Sequence, residues 1–114
     1  MEQARIPAHL EISGLIRTVN GAGGFATVLE KGEKDAGTIM VVCCENGTAA
    51  RAYERMPQAD GTRQWALSRR QAVENPQDFH DWYRRRHAQD PDMWVVELDV
   101  PNGERFIGVP GTEG

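Results

Sequence analysis

The sequence predicts an α+β fold in which a mainly antiparallel sheet of four to six strands carries two principal helices packed on one face. Three observations lead to this prediction. Apolar residues recur at helical spacing before a glycine cluster at 21–24, short alternating segments surround an Asn46-Gly47 dipeptide, and a second helical segment follows Asn75. The predicted order of elements is α-β-β-β-(β)-α-β-β.

The size of the chain indicates one domain. It has 114 residues, of which 39% are hydrophobic and 26% charged, the usage of an ordinary globular protein. We expect a single domain over residues 1–114, with an ordered core over about 7–108. The polar start at 1–6 and the glycine-containing end at 109–114 are expected to be loose tails.

The first helix is predicted over residues 7–20, because apolar side chains recur there every three or four positions and Pro7 suits a first helical turn. Three strands follow, at 25–31, 38–45 and 48–56. The middle one is apolar on both faces, which predicts a central strand. Asn46-Gly47 favours a two-residue hairpin turn with positive φ at both positions.

The second half of the chain is predicted to hold one helix and two or three strands. Residues 63–68 form either a fourth strand or a direct lead into the helix. That helix begins after Asn75, a good N-cap followed by proline, and ends at Asp90-Pro91. Strands are predicted at 93–100 and, as a short edge strand after a turn, at 104–109.

Charge and cysteine content restrict the classes of function. The net charge of −4 disfavours nucleic acid and anionic membranes as partners. No apolar run approaches the ~20 residues of a membrane span, and no signal peptide is evident, so we expect a cytoplasmic protein. Cys43 and Cys44 are adjacent within an apolar run, which favours buried free thiols over a disulfide.

Several strings resemble a known family. Residues 24–26, 31–32 and 35–37 resemble the middle of the uncharacterised bacterial family called domain of unknown function 1491, and Asp90 to Leu98 resembles its C-terminal signature. A helix carrying Arg17 also fits. The resemblance covers about residues 8–107. It implies a single domain and no activity.

The charged loop at 31–37 is the candidate ligand- or partner-binding site. Glu33 stands where the family resemblance implies aspartate. Loops carry function more often than the elements they connect, and an anionic ligand would need cations and backbone N–H groups there. The alternative is a solvated connection. The candidate site residues, one on the first helix and four on the loop, are Arg17, Lys31, Glu33, Lys34 and Asp35.

No catalytic or metal-binding residue is assigned, and no cofactor is expected. The arginines at 84–86 fan out around a helix rather than forming one patch. His80 and His87 lie seven residues apart without further ligands, and Glu97 and Asp99 share an exposed strand face. The three tryptophans are expected to fill the core. The sequence therefore gives no positive evidence that the protein is an enzyme.

The sequence leaves three functions open. The first is a small cytosolic protein-interaction or regulatory module that binds a protein partner or forms a homo-oligomer through edge strands. The alternative is a small anionic ligand- or nucleotide-binding domain that uses the 31–37 loop. The third is an enzyme with a carboxylate acid/base pair.

Overall fold

The computed structural model of the protein describes residues 6–109. Two α-helices, five strands and one 3₁₀ helix follow one another along the chain. They are α1 (Ala8–Gly21), β1 (Phe25–Glu30), β2 (Ile39–Glu45), β3 (Thr48–Pro57), β4 (Arg63–Arg70), α2 (Pro76–Gln89), β5 (Trp94–Asp99) and the 3₁₀ helix (Gly103–Ile107). Apart from Ile6 and Val109, the predicted loose tails lie outside the described residues.

The five strands form one sheet in the order β1-β5-β2-β3-β4. Only the pairing of β2 with β5 is parallel, and the other three pairings are antiparallel. The prediction of an α+β fold with a mainly antiparallel sheet is confirmed. The segment at 63–68 is a strand, and Asn46 and Gly47 have φ values of 53° and 73°, as the predicted hairpin turn requires.

The prediction that both helices pack on one face of the sheet is wrong. Helix α1 packs with Val41 and Cys43 of β2, whereas α2 packs with Val42 and Cys44. Because successive side chains of a strand point to opposite faces, the two helices cover opposite faces. We call these the α1 face and the α2 face. Strand β2 is apolar on both faces for this reason.

The predicted edge strand at 104–109 is also wrong, because this segment is the 3₁₀ helix. Strand β5 lies between β1 and β2, so no free edge remains beside it for the chain that follows. Asn102 before the helix and Gly108 after it have φ values of 54° and 75°. These left-handed residues turn the chain back onto the α1 face.

The two cysteines are free thiols with at most 1% of their surface exposed, as predicted. Burial raises the pKa of both thiols to about 12, and nearby carboxylates act in the same direction. Neither side chain therefore has the character of a nucleophile.

The tryptophans divide into one core residue and two half-buried ones. Trp94 is buried, as predicted, whereas Trp65 and Trp82 keep part of their rings exposed.

Within residues 6–109, no helix has the length and hydropathy needed to cross a membrane.

Candidate functional site

A cleft of about 370 Å³ opens on the α1 face between α1 and the 3₁₀ helix. Its walls are mostly apolar, and one carboxylate and one hydroxyl reach them. Residues from three elements contribute most of the lining: Glu11, Leu15 and Thr18 of α1, Trp65 of β4, and Phe106 and Ile107 of the 3₁₀ helix. The cleft therefore extends from α1 and the 3₁₀ helix to the edge strand β4.

An ion pair fixes one wall of this cleft. Arg55 of β3 donates two hydrogen bonds to the Glu11 carboxylate, at 2.6 and 3.0 Å. The same guanidinium lies 4.9 Å from the centre of the Trp65 ring, which is cation–π distance. The buried Nε of Arg55 has no hydrogen-bond partner among the described residues. Arg55 therefore ties helix α1 to the tryptophan of the edge strand.

A buried polar network holds the opposite wall. Arg51 donates from Nε and Nη2 to the Glu104 carboxylate, both at 2.8 Å, and the Tyr53 hydroxyl donates to it at 2.7 Å. Burial alone would raise the pKa of Glu104, but these hydrogen bonds outweigh burial and lower it to about 2. The ionised Glu104 anchors the 3₁₀ helix, whose Phe106 and Ile107 face the cleft.

Strand β4 is an edge of the sheet and borders the cleft. The Gln58 N–H donates to the Thr62 carbonyl at 2.7 Å, so Thr62 directs its backbone groups toward β3. Backbone direction alternates along an antiparallel strand, which directs the N–H and C=O groups of Trp65 and Leu67 outward. No strand within residues 6–109 pairs with this outer edge. Leu67 is 44% exposed there.

The predicted loop site has mainly structural contacts. The carbonyls of Asp35 and Lys34 accept the N–H groups of Ala8 and His9, which open α1, at 3.0 and 2.9 Å. The carbonyl of Glu33 accepts the Trp94 indole N–H at 2.7 Å. The loop thus satisfies helix donors that would otherwise lack partners.

The five predicted site residues are all exposed, but only four share the loop. The Glu33 carboxylate accepts the backbone N–H groups of Asp35 and Ala36, so it caps its own loop. Arg17 lies nine residues beyond Ala8, which is about 13 Å along the helix axis from the loop contacts. A role of these residues in binding stays a prediction.

Replacing Gly32 with alanine should destabilise the protein by about 1–3 kcal/mol, the usual cost of overpacking. A β-carbon at Gly32 would overlap the backbone carbonyl of Asp92, which cannot move as a side chain does. Gly14→Ala is the matched control, since nothing lies within 4 Å of its added carbon and alanine favours a helix. Urea unfolding of both variants measures the difference. Equal stability of Gly32→Ala and wild type would contradict the close packing of the loop on Asp92.

Sequence reasoning missed the cleft residues Glu11 and Arg55 and assigned Trp65 to the core. One local signal was present. Arg51, Tyr53 and Arg55 occupy every second position of β3, so large polar side chains share a single sheet face. On a strand next to a buried central strand, that pattern indicates partners contributed by other elements.

Comparison with known proteins finds relatives that share both sequence and fold. The family model described as "Protein of unknown function (DUF1491)" matches residues 6–108. A crystal structure of a DUF1491 family protein from Caulobacter crescentus is 31% identical, with a TM-score of 0.80, and the match covers 93% of this chain and 98% of that one. No curated protein matches.

Two solution structures are similar as well. The NMR structure of a DUF1491 family protein from Caulobacter crescentus is 30% identical, with a TM-score of 0.76 and coverage of 95% and 97% of the two chains. The solution structure of a protein from A. tumefaciens is 27% identical, with a TM-score of 0.74 and coverage of 96% and 98%.

Proposed function

The chain belongs to the DUF1491 family, and from that premise we propose that it is a protein-interaction module that binds an extended segment of a partner protein along β4. The observation that carries the proposal is the outer edge of β4 beside the apolar cleft. A partner strand would form main-chain hydrogen bonds with Trp65 and Leu67. Its side chains on the α1 face would lie against the same two residues.

The other edge of the sheet is less suited to strand addition. Strand β1 has six residues and, like β4, contains a register shift. The Asn20 side chain already accepts the Ala26 N–H at 3.2 Å. An edge group that is already bonded within the chain is not available to a partner strand. Strand β4 has eight residues and borders the apolar cleft, so it is the better docking edge.

The cleft supplies a second contribution to binding. A partner side chain that enters it would contact Leu15, Phe106 and Ile107 and would cover Trp65. Tryptophan is enriched among residues that dominate binding energy, particularly where a ring of neighbours excludes water. The ion pair of Glu11 with Arg55 keeps the Trp65 ring in place before a partner arrives, which reduces the entropy lost on binding.

We further propose a bacterial protein that works in the cytoplasm. Two of the similar structures come from proteins of Caulobacter crescentus, and a third comes from A. tumefaciens. The buried free thiols of Cys43 and Cys44 suit a reducing compartment. The net charge of −4 disfavours nucleic acid as the partner, because the phosphate backbone carries the same sign of charge.

A second candidate function is the binding of a small apolar molecule in the cleft. The volume of about 370 Å³ falls within the usual range of ligand pockets, roughly 300–1,000 Å³. Filling the cleft with Leu15→Trp would abolish such binding, whereas a change at the β4 edge would leave it intact. The two candidates therefore respond to different substitutions.

Peptide selection tests the proposed function. A library of random nonapeptides displayed on phage is selected on the immobilised protein, and the enriched peptides are measured in solution. We expect their affinity to fall by about tenfold or more in Leu67→Lys, because a lysine at an edge strand opposes pairing. Phe25→Lys, the same kind of change on β1 at a side chain 74% exposed, is the matched control and should bind normally. Peptides that bind both variants equally would contradict docking at β4.

A further inference from the structure

We infer that the partner strand accepted by β4 carries an acidic residue opposite Arg70 and apolar residues opposite Leu67 and Trp65. The inference rests on the proposed function and names its partner class. An antiparallel partner would then read acidic-x-apolar-x-apolar from its N-terminus, where x faces the α2 side of the sheet.

The register of β4 sets this spacing. On the α1 face, three residues of β4 lie directly opposite residues of β3 in the strand register. Trp65 lies opposite Arg55, Leu67 opposite Tyr53, and Arg70 opposite Arg51. The bulge at position 68 adds one residue to β4, so Leu67 and Arg70 occupy consecutive positions on this face although they are three residues apart. A regular partner strand would therefore meet the three side chains with residues two apart.

One cation among the three β4 side chains, that of Arg70, has no carboxylate partner among the described residues. On β3, Arg51 pairs with Glu104 and Glu45, and Arg55 pairs with Glu11. On β4 itself, Arg69 pairs with Asp78 of α2, on the other face. Arg70 is exposed and forms no ion pair within residues 6–109. An acidic side chain opposite Arg70 would meet a cation that no carboxylate of the described chain already holds.

The same charges argue against a second copy of the chain as the occupant. Antiparallel pairing of two β4 strands with Trp65 opposite Leu67 would place Arg70 of each copy opposite Arg63 of the other. A second copy in this register would thus present an arginine, and no carboxylate, to Arg70. The edge therefore suits a partner strand with an acidic residue at this position better than a second copy.

Parallel selections test this inference. Nonapeptide libraries are selected on wild type and on Arg70→Glu, and the enriched peptides are aligned on their apolar pair. We expect an Asp or Glu two residues before the first apolar position with wild type, and a Lys or Arg there with Arg70→Glu. Arg85→Glu of α2, an exposed arginine without an ion pair in the described chain, is the matched control and should keep the acidic preference.

The outcomes separate this inference from the function on which it rests. Peptides that depend on Leu67 but show no acidic preference, or keep it in Arg70→Glu, overturn the inference and leave strand addition standing. Peptides that ignore Leu67→Lys overturn both. Sedimentation of the wild type and Leu67→Lys tests whether a second copy of the chain occupies the β4 edge. A wild-type dimer that Leu67→Lys dissociates would make the second copy the occupant and the inference wrong.

Discussion

Replacing Glu104 with alanine should lower the free energy of unfolding by about 3–5 kcal/mol, the usual cost of removing one partner of a buried ion pair. Only 4% of Glu104 is exposed, and its carboxylate accepts hydrogen bonds from Arg51 and Tyr53. Alanine would leave a buried guanidinium and a phenol without this acceptor. It would also release the 3₁₀ helix from the sheet. Urea unfolding at pH 7 measures the effect.

Glu45→Ala is the matched control for this prediction. Glu45 also pairs with Arg51, at 2.8 Å, but 38% of its side chain is exposed. Exposed ion pairs contribute about 1 kcal/mol or less, so this variant should stay close to wild type. If Glu45→Ala were as costly as Glu104→Ala, burial of the network would not be the source of its stability.

The cost of Glu104→Ala should also depend on pH. The pKa of Glu104 falls from 4.5 to about 2 on folding, so its ionisation stabilises the protein above pH 4.5 and is lost as pH falls toward 2. A depression of this size corresponds to about 3 kcal/mol. At pH 3 only about 1 kcal/mol of that contribution remains. The gap between wild type and Glu104→Ala should therefore narrow by roughly 2 kcal/mol between pH 7 and pH 3.

The elements of the fold were predictable from local patterns, whereas their arrangement was not. The apolar run of β2, the turn residues Asn46-Gly47 and the Asn75-Pro76 start of α2 are short-range features, and most predicted elements lie close to the observed ones. The insertion of β5 between β1 and β2 joins segments more than 50 residues apart. Because no local pattern encodes that pairing, both the face covered by each helix and the lack of an edge beside β5 were missed.

The residues that build the cleft were not predictable for the same reason. Glu11 and Arg55 are 44 residues apart in sequence, and Tyr53 and Glu104 are 51 apart. A charged residue on its own most often indicates an exposed surface. The loop at 31–37 was selected for its density of charge, yet its backbone carbonyls, rather than its charged groups, make most of its contacts with α1 and Trp94.

The aromatic face of α2 shows how far helical spacing can be used. Helical spacing places Phe79, Trp82, Tyr83 and Arg86 on one side of α2. Phe79 and Tyr83 are buried against the α2 face of the sheet, whereas Trp82 lies at the margin between Arg69 and Arg86. Spacing identifies the buried side of a helix, but the position of the sheet beneath it decides which ring lies at its centre.

Phe79→Ala should therefore lower the free energy of unfolding by about 3–5 kcal/mol, more than the larger Trp82→Ala, for which we expect about 1–2 kcal/mol. Phe79 is 2% exposed, and its ring centre lies 5.6 Å from that of Trp82 and 6.3 Å from that of Tyr83. Its removal leaves a cavity between α2 and the sheet, whereas the half-exposed Trp82 leaves space that water can enter. Urea unfolding of both variants, with Phe79→Leu to restore most of the lost volume, measures the order. A larger cost for Trp82→Ala would place the centre of this core on the tryptophan and contradict the packing described for α2.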